Sequence, residues 1–263
     1  MRRPIYVVDA FAENIFSGNP AAVCPLEEWL PDDVMQKLAA ENNLAETAFI
    51  VNESGQYRIR WFTPGAEVAL CGHATLASAH IFFSELGHKG LDIAFNSLSG
   101  VLQVYKKDNG FYTLDFPLDK PVPFEGEATA LLQALGVNSH TVYQTAFDYM
   151  VVLPMQKEVE DACPDFKALA KTGGRGVIIT APGNEVDFVS RFFAPQVGID
   201  EDPVTGSAHT ALTPYWAERL GKTYLSARQL SKRGGYLECE LKNSRVLITG
   251  NAVTYMRGEY VTG

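Results

Sequence analysis

The chain carries one motif order twice. Arg60-Trp-Phe-Thr-Pro64 returns as Arg191-Phe-Phe-Ala-Pro195 at an offset of 131 residues, and Leu38-Ala39 returns as Leu169-Ala170 at the same offset. Gly72-His73-Ala74 returns as Gly206-Ser207-Ala208 at an offset of 134, and Leu86-Gly87 as Leu220-Gly221. The offset changes between Pro195 and Gly206, so the second copy has a longer loop there. A unit of about 130 residues is large enough to hold its own core. A chain of 263 residues therefore reads as two similar halves.

Each half repeats an order of elements. Pro31 with Asp32 and Asp33 starts a helix to about Glu41, with acids where the helix dipole favours them. Strands are expected over Glu46–Asn52 and Gln56–Thr63. Gly72–Leu86 is apolar almost all round, which predicts a buried helix, stopped by Gly87. Its counterpart runs from Gly206 to Leu220 and stops at Gly221; Pro214 is expected to kink it. Strands follow each helix, and Pro117, Pro121 and Pro123 mark the junction. The expectation is an α+β fold of two pseudo-symmetric lobes, each with strands wrapped round a central buried helix. The lobes span residues 1–118 and 119–263, and a strand near 250–263 can return to the first lobe.

Composition narrows the function. Lys plus Arg number 22 against 31 Asp plus Glu, a net charge of −9, and no basic run forms a phosphate-binding face. Nucleic acid is not an expected partner. No run of apolar residues is long enough to span a bilayer, and the N-terminal run is too short for a signal-peptide core. Cys24, Cys71, Cys163 and Cys239 are widely spaced, without a C-x-x-C pair, so a reducing, cytoplasmic setting is expected and a zinc site has no spacing support. Neither a dinucleotide fingerprint nor a hydrolase elbow is present, and Thr172-Gly-Gly-Arg-Gly176 reads as a turn rather than a P-loop. No cofactor and no metal are expected.

Four places could carry chemistry. Glu46, where a helix gives way to an apolar strand, reads as an exposed strand-entry carboxylate or as a general acid/base. His73 reads as a helix-start hydrogen-bonding group or as a titrating group aimed into a site; His80 lies seven residues on, with no third metal ligand indicated. Cys71 reads as a small buried hydrophobe or as an activated thiolate, and Thr205 takes the equivalent place in the second half. Glu201-Asp202-Pro203-Val204-Thr205-Gly206-Ser207-Ala208-His209 holds more acid than helix capping needs. Both central helices start at glycine, where free N–H groups favour anions. Facing one another, two such starts would suit a small carboxylate.

These motifs resemble a known family. Asp9-Ala10-Phe11, Phe16-Ser-Gly-Asn-Pro-Ala-Ala-Val23, Asn43-Leu-Ala-Glu-Thr-Ala-Phe49, Phe62-Thr-Pro64, Cys71-Gly-His-Ala-Thr75, Arg191-Phe-Phe-Ala-Pro195 and Glu201 to His209 look like the phenazine-biosynthesis PhzF-like family, in order and over most of the chain. The resemblance implies the diaminopimelate-epimerase fold, a homodimer and a cofactor-independent isomerase of the trans-2,3-dihydro-3-hydroxyanthranilate type. It implies that Glu46 is the catalytic acid/base, that His73, Asp202 and Ser207 assist, and that Asn19, Gly72 and Gly206 bind substrate. Epimerases of this fold use two cysteines, of which only Cys71 is kept. The alternatives are an amino-acid epimerase or racemase using Cys71, and a non-catalytic small-molecule-binding or scaffold protein.

Overall fold

The computed structural model describes residues 1–138 and 141–262. The chain divides into two units, one formed by Met1–Asp115 with the stretch from Thr249 onward, the other by Phe116–Ile248. The first contains β1 (Arg2–Ala10), β2 (Asn19–Leu26), α1 (Asp32–Asn42), β3 (Glu46–Glu53), β4 (Gln56–Phe62), β5 (Glu67–Val68), α2 (Gly72–Ser84), β6 (Asp92–Ser97), β7 (Gly100–Lys106) and most of β8 (Tyr112–Pro117). The second contains β9 (Val122–Pro123), α3 (Thr129–Leu135), β10 (Val142–Gln144), β11 (Asp148–Val152), α4 (Gln156–Asp161), α5 (Phe166–Leu169), β12 (Gly176–Pro182) and β13 (Phe188–Ala194). It continues with β14 (Ile199–Asp202), α6 (Gly206–Leu220), β15 (Tyr224–Gln229), β16 (Gly235–Lys242) and most of β17 (Arg245–Gly250). The last strand, β18 (Ala252–Val261), belongs to the first unit and runs antiparallel along the whole of β1.

The two units share a pairing scheme. In the first, β2–β3 and β4–β6 are parallel and β3–β4 between them is antiparallel. In the second, β11–β12 and β13–β15 are parallel and β12–β13 is antiparallel. A parallel pair needs a crossover long enough to return the chain to the same end. α1 makes the first crossover and α2 the second; α4 with α5 and then α6 do the same in the other unit. The fold is α+β.

The repeated Arg and its spacing have a physical basis. Arg60, leaving β4, forks onto Glu67 with two contacts of 2.7 Å. Arg191, leaving β13, forks onto Glu201 at 2.7 and 3.1 Å. Each pair pins the loop that leads into the central helix, and each guanidinium lies over an aromatic ring, Phe62 or Phe193. The longer second loop is the reason that the two arginines are 131 residues apart and the two glutamates 134. Both pairs are largely buried and bidentate, which makes them worth more than surface ion pairs.

The central helices are buried because few of their residues want water. In α2 everything from His73 to Phe83 except His80 is buried, and its hydroxyls turn back onto the helix: Thr75 donates to Cys71 O at 2.5 Å and Ser78 to Ala74 O at 2.7 Å. α2 packs against β1, β2, β3, β7 and β18. α6 runs without interruption through Pro214. Proline lacks the N–H that would bond the carbonyl four residues back. That carbonyl, Thr210 O, is instead taken by the backbone N–H of Asp119 at 3.3 Å, so the break costs no hydrogen bond.

The turn before β2 sets up the first candidate residue. Asp9 is buried and its Oδ2 accepts the Phe16 N–H at 2.8 Å. Gly18 has φ +65°, and a Cβ there would sit 2.2 Å from Ala10 O. Only glycine allows the chain to enter β2 with Asn19 opposite Ala10. Gly18→Ala is expected to cost about 3 kcal/mol or more, combining the left-handed backbone penalty with overpacking. Gly55→Ala, also left-handed but facing open space, is expected to cost about 1 kcal/mol. Urea unfolding of the two variants checks the difference.

Candidate active site

The first unit gathers Asn19, Glu46, Cys71 and His73. α1 ends at Asn43, whose left-handed backbone (φ 49°) turns the chain directly into β3. Glu46 is the first residue of β3 and lies opposite Ala21 of the parallel strand β2. Two residues earlier on β2 is Asn19, fully buried. Cys71 is the extended residue before α2, Gly72 the first residue of that helix and His73 the second. The burial of α2 thus carries the His73 ring to the ends of β2 and β3.

The imidazole is the centre of the cluster. Its Nε2 is 3.0 Å from Glu46 Oε2, with only 6% of the His73 side chain and 13% of the Glu46 side chain exposed. Asn19 Nδ2 lies 3.2 Å from Nδ1 and donates to it when the ring is neutral with its proton on Nε2, facing Glu46. Cys71 Sγ is 3.6 Å from Nδ1 and can accept from it when the ring is charged. Glu46 Oε2 and His73 Nε2 are close but not aligned as a hydrogen bond, and among the described residues neither atom has another such partner. Catalytic contacts are often loose until substrate arrives.

Burial works against charge on His73, but the Cys71 and Glu46 groups beside it outweigh that cost and raise its pKa well above the usual imidazole value. Burial, with the Glu46 charge next, pushes the Cys71 thiol up to about 11. The thiol is therefore neutral near pH 7. Ligand atoms of Glu46, Cys71 and His73 lie within 4.8 Å of one another, close enough to surround one small ion. A metal would need the thiolate, and burial disfavours it. As it stands the cluster joins a carboxyl, a thiol and an imidazole, groups able to hold and pass a proton. His80 stands apart from it: Nδ1 meets Tyr112 Oη at 3.1 Å, Nε2 meets Thr254 Oγ1 at 2.9 Å, and burial lowers its pKa to about 4.

The second unit gathers Asp202, Thr205, Gly206 and Ser207. Asp202 ends β14, and Thr205 Oγ1 donates to its carboxylate. Gln229 of β15, buried, ties the loop down: its Nε2 donates to Asp202 O at 2.8 Å and its Oε1 accepts the Thr205 N–H at 2.8 Å. Thr205 is thus a hydroxyl that orients Asp202. Gly206 and Ser207 open α6. Glu201, grouped with these in the sequence, is occupied by Arg191. His209 is fully buried; Nδ1 donates to Thr205 O at 2.8 Å, and burial lowers its pKa to about 4. Gln229 and His209 escape sequence reasoning as site-shaping residues because their partners lie on another strand or on the backbone.

The His73 pKa gives a test of the pair. A raised pKa means that the charged ring stabilises the fold below the unfolded value, and that this contribution is lost as pH rises through the folded value. In Glu46→Gln the Glu46 contribution is removed while burial remains, so the His73 pKa should fall relative to wild type. The imidazole proton and nitrogen shifts of wild type and variant measure this directly.

Residues 8–258 match the family model described as phenazine biosynthesis-like protein, PhzC-PhzF. A Pseudomonas aeruginosa protein named as an uncharacterized isomerase is 50% identical over 258 residues, covering 98% of each chain. The crystal structure of a PhzF-family phenazine biosynthesis protein from Enterococcus faecalis superposes with a TM-score of 0.94 at 49% identity over 100% of both chains. A probable proline racemase from Agrobacterium radiobacter shares the fold at TM-score 0.65 and 9% identity, covering 99% of this chain and 93% of its own. The chain belongs to the phenazine biosynthesis-like PhzC-PhzF family.

Proposed function

We propose that this protein is an isomerase that moves a proton between two carbons of a small carboxylate, with Glu46 as the proton carrier. The observation that carries the reading is the buried Glu46–His73 pair, 3.0 Å apart, with a fully buried Asn19 on the other ring nitrogen. The shift is redox-neutral and needs no cofactor. The Glu46 carboxylate removes a proton from an acidic carbon, and the electron pair moves into the adjoining unsaturated system. The backbone N–H groups at the start of α2, at Gly72 and His73, are suited to stabilise the negative charge that develops. Glu46, now a carboxylic acid, returns the proton to the second carbon. His73 orients the carboxyl and donates to it in its charged state. Asp202 and Ser207 are proposed to bind substrate and assist proton handling, with the N–H groups of Gly206; the family resemblance supports these roles.

An amino-acid epimerase using Cys71 would need a thiolate as base. Burial holds that thiol protonated, which favours the carboxylate reading. Small carboxylates incubated with the enzyme in D2O should acquire carbon-bound deuterium. Glu46→Gln should slow that exchange by about 10²–10⁴-fold, the usual worth of a general acid/base. Cys71→Ala should leave it within about threefold. The opposite pattern, with Cys71→Ala inactive and Glu46→Gln active, would establish the epimerase.

A further inference from the structure

The glycine-rich segment Thr172–Gly176 builds a support for one side chain, Arg175. Gly173 and Gly174 are left-handed, at φ +84° and +74°, and a Cβ on Gly176 would lie 2.4 Å from the Phe192 ring. The Arg175 N–H donates to Phe147 O at 2.8 Å. Its guanidinium lies over the rings of Phe147 and Phe192, 5.5 and 5.6 Å from their centres. Nε and Nη2 clamp the buried Asp148 carboxylate at 2.9 and 2.5 Å. A planar cation held by a bidentate carboxylate and two rings has little freedom left.

That rigid cation also donates from Nη2 to Ser207 Oγ at 3.1 Å. Ser207 differs in this from the other hydroxyls of the central helices. Thr75, Ser78, Ser84, Thr210 and Thr213 all donate back to a carbonyl of their own chain three or four residues earlier. Guanidinium has no acceptor, so Ser207 must accept from Arg175 and its own proton is directed elsewhere. A hydroxyl that accepts from a cation is also a stronger donor.

We propose that Arg175 is a positioning residue that makes Ser207 a hydrogen-bond donor to the substrate carboxylate. The proposal rests on the reading of Ser207 as a substrate-binding residue. Arg175 itself acts through Ser207, with its charge balanced by Asp148. Gly176 leaves room for the Phe192 ring that the guanidinium lies over.

A double-mutant cycle separates this role from a merely structural one. Benzoate is titrated into the full-length 15N-labelled protein, and the Gly206 and Ser207 amide signals give its Kd. Ser207→Ala is expected to weaken binding about ten- to hundredfold, the worth of one hydrogen bond to a charged group. Arg175→Lys keeps a positive charge beside Asp148 but loses the fork, and should weaken binding by a similar factor. The double variant should bind no more weakly than either single one. If Arg175→Lys does not fold, Arg175→Met combined with Asp148→Asn, which leaves no buried charge, carries the same comparison. Wild-type affinity in the Arg175 variant, or losses that multiply in the double variant, would overturn the proposal. Absence of benzoate binding at these amides would overturn it too, while deuterium exchange dependent on Glu46 would still stand.

Discussion

A buried carboxylate needs a partner, and in this protein the partner of Glu46 is a ring carried by the most buried helix of its unit. Burying either group alone would cost several kcal/mol. Together, with Asn19 on the far nitrogen, they place a carboxyl and an imidazole 3.0 Å apart. The rest of the first unit serves this placement. The Gly18 turn brings in Asn19, the left-handed Asn43 brings in Glu46, and the apolar faces of α2 bring in His73. The Arg60–Glu67 fork fixes the loop that delivers α2.

The second unit uses the same framework for a different chemistry. The equivalent fork, Arg191–Glu201, delivers α6, but the helix start carries Thr205, Gly206 and Ser207 in place of Cys71, Gly72 and His73. Thr205 is spent on orienting Asp202 and Ser207 accepts from Arg175. One unit therefore presents a carboxyl–imidazole pair, and the other presents hydroxyl and carboxylate groups whose hydrogen bonds are fixed by neighbours. The two units share a scaffold and differ at the helix starts.

Much of this was legible in the sequence because it is local or periodic. The all-apolar pattern of Gly72–Leu86 and the Gly206–Leu220 stretch gave both central helices, and the two offsets gave the shared topology. The short helices α4 and α5, six and four residues long, have no periodicity to read. The return of a strand near 250–263 to the first unit was expected, but its pairing along β1 joins residues some 250 apart in sequence, and no local pattern encodes that partner. Glu46 and His73 could be singled out, but their 3.0 Å approach depends on the parallel β2–β3 register. Thr172–Gly176 read as a turn; its use in aiming Arg175 depends on Asp148, 27 residues away. Capping accounted for one acid of the Glu201–Asp202 pair, and the structure divides the two: Glu201 holds Arg191, Asp202 is held by Thr205.

The central claim is that one carboxyl both removes and returns the proton. It is tested most directly by following a label through the reaction. A substrate carrying deuterium on the carbon that loses its proton is converted in ordinary water under single-turnover conditions. Only 13% of the Glu46 side chain is exposed, so part of the label should survive on the carboxyl and appear on the receiving carbon. The retained fraction should fall as turnover is slowed and the carboxyl has longer to exchange with water. Product with no deuterium on the receiving carbon, however fast the turnover, would contradict a single proton carrier.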